Sequence, residues 1–144
     1  LSEVAQLSVE DLNLTDRSVQ VTGKGDKDRS VYFSVRARLM LQEYIRERKG
    51  GEGLFCSCKS PYQPLKQRAI QRIIHNISER AGLAARVHPH LLRHTFATHA
   101  INGGMDVTVI QKLLGHEDVS TTQIYAALND ETIRHQYNKF IAAN

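Results

Sequence analysis

The feature that most constrains this chain is a change of period. Val19 and Val21 alternate with polar residues, as do Val31 and Phe33, whereas from Ser34 onward apolar residues return every three or four positions. Period two marks a strand with one buried face; period 3.6 marks an amphipathic helix. Between the alternating runs 18–22 and 29–33 stands Gly23-Lys24-Gly25-Asp26-Lys27-Asp28, so the two read as a β-hairpin with a heavily charged tip. Residues 11–13 add a short β-like piece, and residues 1–7 read as the tail of a helix. The expected fold class is α+β, mainly helical, with one small antiparallel β-sheet near the N-terminus.

The helices have legible ends. Ser34 caps a helix over 35–49, closed by Gly50-Gly51, with Ala37, Met40, Leu41, Tyr44 and Ile45 on one stripe. Residues 65–81 carry the strongest pattern: Leu65, Ala69, Ile70, Ile73, Ile74, Ile77 and Ala81 form a stripe that Gly82 ends. Lys66, Arg68 and Arg72 lie off that stripe and leave a basic face. A further helix runs over 90–101 to Gly103-Gly104, and Asp106 caps 107–114, which Gly115 terminates. Residues 121–126 predict a short helix. Asn129 or Asp130 starts the last one, whose Ile133, Tyr137, Phe140 and Ile141 either dock on another subunit or fold back on the chain's own core.

With 144 residues the chain suits one domain. No apolar run reaches the roughly 18 residues of a membrane helix, and two cysteines make no disulfide framework. A soluble intracellular protein is the expectation. Charge is uneven: residues 24–93 hold 15 Lys or Arg against 6 Asp or Glu, while the remainder holds 4 against 9. A basic middle with acidic flanks suits a polyanionic partner.

Four of the seven histidines fall in His88-Pro89-His90-Leu91-Leu92-Arg93-His94-Thr95-Phe96-Ala97-Thr98-His99. A zinc helix needs a carboxylate beside its first histidine, and here Leu91, Leu92 and Arg93 intervene, so no metal is expected. Cys56-Ser57-Cys58 lacks the two-residue gap of common zinc pairs and reads as two half-buried thiols. His90 and Arg93 are i,i+3 and can face one ligand. Arg offers a planar fork to phosphate oxygens and an imidazole beside it can pass a proton. His88, His94 and His99 read as packing or supporting residues.

His90-Leu-Leu-Arg93-His-Thr-Phe-Ala-Thr-His, then Ile110-Gln-Lys-Leu-Leu-Gly115-His116, then Thr121-Thr122 and Tyr125, resembles the catalytic box of the tyrosine recombinases, the phage integrases and Xer-type site-specific recombinases. The hairpin Thr22-Gly23-Lys24-Gly25-Asp-Lys27-Asp-Arg29 is similar to that family's lysine-bearing hairpin, and Leu1-Ser2-Glu3 to the end of its first arginine box. The resemblance runs from Leu1 to about Tyr125. It implies a tyrosine-recombinase-like catalytic domain over residues 1–144, with the first arginine and an N-terminal DNA-clamping domain upstream. The fragment alone is then expected to be at most feebly active.

The resemblance also implies site-specific cleavage and rejoining of double-stranded DNA through a 3′-phosphotyrosyl intermediate, with no metal or cofactor. Tyr125 would be the nucleophile, Arg93 would hold the phosphate, His90 and His116 would assist, and Lys24 would protonate the leaving 5′-oxygen. Lys27, Arg29, Lys66, Arg68 and Arg72 are the expected DNA-binding residues. A homo-oligomer, a tetramer on paired sites, is the implied assembly. A catalytically silent DNA-binding module and a type IB topoisomerase-like domain stay open as alternatives at this point.

Overall fold

The computed structural model of the chain describes residues 1–23, 28–83, 87–115 and 130–143. The order among them is α1 (Ser2–Gln6), β1 (Leu12–Asn13), β2 (Ser18–Thr22), β3 (Asp28–Tyr32), α2 (Val35–Glu47), α3 (Gln67–Arg80), α4 (Pro89–Asn102), α5 (Val107–Leu114) and α6 (Asp130–Ala143). The α+β class expected from the periodicities is the one observed. The short helix expected over 121–126 lies outside the described residues.

The strands form one antiparallel sheet in the order β1-β2-β3. Val19 pairs with Val31 and Val21 with Arg29. Directly paired residues share a face, so Arg29 and Val31 lie on the side where Val19 and Val21 are buried.

Ser34 caps α2 as expected, its hydroxyl accepting from the Ala37 N–H at 3.2 Å. Asp106 caps α5, its carboxylate accepting from the Thr108 N–H at 2.7 Å. His88 caps α4: its Nδ1 accepts from the Leu91 N–H at 3.2 Å. Pro89 follows as the first helical residue, where its missing N–H costs nothing.

Two stripes are narrower than their sequences suggest. In α3 the helix spans Gln67–Arg80, because the Leu65 N–H donates back to the Phe55 carbonyl at 2.8 Å and residue 65 stays outside the helix. Its packed side runs through Ile70, Ile74 and Ser78, while Ile73 and Ile77 are 43% and 58% exposed. In α2 the half-buried line is Ala37, Leu41, Tyr44 and Ile45, and Met40 is exposed. Cys56 is half-buried, but Cys58 is exposed.

The main core joins α4, α5 and α6 and leans on β3. Ala100, Met105, Val109, Ile110, Leu113, Ile133, Tyr137 and Phe140 are buried together. Phe140 meets Phe96 edge-on, with ring centroids 6.2 Å apart. It also fills the space over Gly103, where a Cβ would come within 2.6 Å of the ring. The apolar face of α6 is therefore seated in its own chain. The Tyr32 hydroxyl donates to the Asp130 carbonyl at 3.0 Å and fixes where α6 begins.

Phe140→Ala should lower the unfolding free energy by about 3–5 kcal/mol, against roughly 0.5 kcal/mol or less for Met40→Ala on an exposed face. Urea-unfolding midpoints check both. Equal midpoint shifts would mean that α6 is not seated as described.

Candidate active site

α4 buries Phe96, Ala97 and Ala100 toward the core. Arg93 lies three, four and seven residues before them, so it belongs to the same helical face. Its half-buried side chain continues that face toward the end of α5, where Nη2 donates to the Leu114 carbonyl at 2.6 Å.

Arg29 reaches the same place from β3. Its Nε donates to the Leu113 carbonyl at 3.2 Å. Nη1 and Nη2 grip the two oxygens of Glu3 at 2.5 and 3.1 Å. The side chains of Arg29 and Glu3 are 16% and 27% exposed. The Arg29 guanidinium, hydrogen-bonded to Glu3, holds that carboxyl below the usual carboxylate range, with partial burial opposing. Arg93 also contributes a favourable field at Glu3.

The end of α5 is shaped to admit this cluster. Gly115 takes the left-handed conformation, φ 67° and ψ 43°, and closes the helix. A Cβ there would stand 2.9 Å from Arg29 Cζ, so both the backbone and the neighbour favour glycine.

His90 sits one turn before Arg93 and is exposed. His88 caps the helix with its ring 6.3 Å from that of His90. His94 and His99, expected to pack or support, are exposed, because both fall off the Arg93–Phe96–Ala97–Ala100 face. Lys24, Lys27, His116 and Tyr125 lie outside the described residues. Among the described residues, no group of three or more His, Cys, Asp or Glu could hold a metal ion.

Lys66, Arg68 and Arg72 are exposed and line one groove of about 500 Å³ on the flank of α3. Lys59, Ser57 and Gln63 line it too, and among the described residues no carboxylate does. This basic groove shares no lining residue with the Arg29–Arg93 cluster. A second hollow, about 550 Å³, belongs to the seam between the β1–β2 turn and α6, lined by Asp16, Arg17, Arg134 and His135 among others.

Two features of this arrangement escape motif reading. Glu3 falls in the Leu1-Ser2-Glu3 motif, but its pairing with Arg29, 26 positions away, is linked by no local period. A usable signal for Arg29 does exist: it falls on the inward parity of Val31 and Phe33. Lys59 sits in a loop of no regular pattern. Among the described tyrosines, burial pushes the phenols of Tyr32 and Tyr137 up, with Asp130 adding to the effect at Tyr32. Both are poorer nucleophiles for it.

The phage integrase family matches residues 1–132. The tyrosine recombinase XerC of Lactobacillus leichmannii is 37% identical over 147 residues, which cover 96% of this chain and 49% of that protein. The tyrosine recombinase XerD of Corynebacterium glutamicum is 39% identical over 140 residues, covering 93% and 45%. Among solved structures, the XerA recombinase aligns with a TM-score of 0.73 at 36% identity, covering 96% of this chain and 52% of its own. The XerH site-specific recombinase, bound to its difH substrate before cleavage, aligns with a TM-score of 0.68 at 30% identity, covering 90% and 39%. The chain spans about half the length of the relatives it matches.

Because Glu3 is more acidic folded than unfolded, its contribution to stability is complete above its unfolded pKa and is lost as pH falls through the folded one. Glu3→Gln should therefore be less stable than the parent at neutral pH, with the gap closing on acidification. Urea midpoints from pH 7 to pH 3 check this. A gap that stays constant would mean that the Glu3 charge is idle.

Proposed function

The chain belongs to the phage integrase family of tyrosine recombinases, and from that membership we propose that it cuts and rejoins double-stranded DNA at specific sites. The observation that carries this is the family match over residues 1–132, which takes in Lys24, His90, Arg93, His116 and Tyr125 in one stretch. The Tyr125 hydroxyl oxygen bonds to phosphorus as the bond to the 5′-oxygen breaks. The phenol proton passes to a histidine, His116 or His90, and Lys24 protonates the departing oxygen. A 5′-hydroxyl from a partner strand then reverses the step. Bond energy is kept in the phosphotyrosyl link, so the chemistry needs neither ATP nor a cofactor.

Arg93 suits the phosphate on physical grounds. One nitrogen is tied to a helix-end carbonyl, so its position is set before any substrate arrives. Donors fixed in advance stabilise transition-state charge without reorganising. The groove of Lys59, Lys66, Arg68 and Arg72 supplies cations with no competing carboxylate among the described residues, which suits duplex phosphates. Lys27, in the charged stretch between β2 and β3, is proposed as a further DNA contact. Exchange between two duplexes involves four strands, each needing a nucleophile, so four copies on paired sites is the assembly.

A nicked suicide substrate, which traps the covalent intermediate, tests the chemistry in the full-length gene product. Tyr125→Phe should bind the site as the parent does and form no denaturant-resistant adduct. An adduct in that variant would assign the nucleophile elsewhere, and none in the parent would leave a DNA-binding module.

Replacing Lys66, Arg68 and Arg72 together by Gln should flatten the dependence of log affinity on log salt by about 2–3, at roughly 0.9 for each phosphate no longer neutralised. Titrations from low to moderate salt measure it. An unchanged slope would remove the groove from the DNA interface.

A further inference from the structure

We propose that Arg29 is a positioning residue that sets the end of α5, and with it the Arg93 guanidinium, rather than a contact to DNA. The inference rests on the function proposed above, in which Arg93 meets the phosphate.

The geometry leaves Arg29 little to offer a phosphate. Its parity on β3 turns it inward, opposite Val21. All three guanidinium nitrogens are engaged: Nη1 and Nη2 by Glu3, Nε by Leu113. The backbone of Gly115 lies against the guanidinium carbon. A phosphate would have to displace a carboxylate already held by two nitrogens.

The same contacts give Arg29 a hold on Arg93. Leu113 and Leu114 are neighbours joined by a planar peptide, and Arg93 donates to the second carbonyl while Arg29 donates to the first. Fixing one limits the other. Glu3 balances the Arg29 charge, so Arg93 can stand nearby and keep its own for an anion. Lysine cannot replace this hold, since one ammonium point lacks the fork that spans Glu3 and Leu113.

The test uses Arg29→Met, Arg29→Lys and Glu3→Gln in the full-length gene product, each assayed well below its melting temperature. Three quantities are read: affinity for the duplex site with its salt slope, the single-turnover rate of adduct formation at saturating DNA, and the ¹⁵N resonance of the Arg93 guanidinium. Both Arg29 variants should keep affinity within about twofold and an unchanged salt slope. Their adduct rate should fall about 10²-fold, the cost of roughly an ångström of misplacement. The Arg93 resonance should move in both, and Glu3→Gln should show the same pattern in smaller measure.

If Arg29→Met instead weakens binding and flattens the slope by about 0.9, one phosphate's worth, and Arg29→Lys restores both, Arg29 is a DNA contact and the proposal falls. It also falls if a folded Arg29→Met forms adduct at the parental rate. Should Arg29→Met fail to fold, Glu3→Gln decides on the same two criteria. If the parent forms no adduct, the recombinase reading fails by itself. The Arg93 resonance then decides: displaced in the Arg29 variants it supports the positioning role, unmoved it overturns it.

Discussion

A helix of eight residues cannot satisfy its own end. Its last four carbonyls have no partner within the helix, and in α5 that end points at the site. The chain solves this with side chains from distant elements. Arg29 from β3 takes Leu113, Arg93 from α4 takes Leu114, and the Gly115 N–H turns back on Lys112 at 3.2 Å. Glu3 from α1 then holds Arg29. Three elements spread over most of the chain converge on the terminus of a fourth.

The electrostatics of that point follow from its parts. The carboxyl end of a helix carries partial negative charge and favours cations. Two guanidinium groups and one carboxylate leave a surplus of one positive charge, on the arginine least enclosed by anions. In the proposed reaction a phosphate approaching Arg93 would therefore meet a centre whose repulsion with Arg29 has already been relieved by Glu3. The alternative, two bare arginines side by side, would raise the energy of the empty site. The capping interaction and the charge proposed to meet the phosphate are thus one arrangement.

Much of this is readable from residue order, and the exceptions have physical causes. The hairpin, the caps at Ser34 and Asp106 and the stop at Gly115 are local, and each is visible in a few residues. The α3 stripe is also local, yet Ile73 and Ile77 stand exposed, because periodicity reports which residues could be buried and not how wide a neighbour covers them. The face of α6 leaves two readings open for the same reason, and in this structure of a single chain it packs on Phe96 and Gly103. His90 and Arg93 stand out by their i,i+3 spacing and their chemistry, whereas the roles of His116, Tyr125 and Lys24 come through resemblance, with no period or cap to single them out. The Glu3–Arg29 pair joins residues whose meeting depends on the whole topology, although the inward parity of Arg29 already argues against a solvent-facing role.

The seating of α6 also sets a leash. Asp130 is pinned by Tyr32 at the start of a helix whose Ile133, Tyr137 and Phe140 are buried. Tyr125 precedes Asp130 by five residues, and five extended residues reach about 17 Å at most. Chain length alone thus bounds how far the Tyr125 backbone can lie from the head of α6. To carry it further, toward a site on a neighbouring copy, α6 would have to leave its bed and expose three large side chains, at about 1.5–3 kcal/mol each. In the proposed reaction, the packing of a helix that bears no reacting group would therefore limit which phosphate Tyr125 attacks.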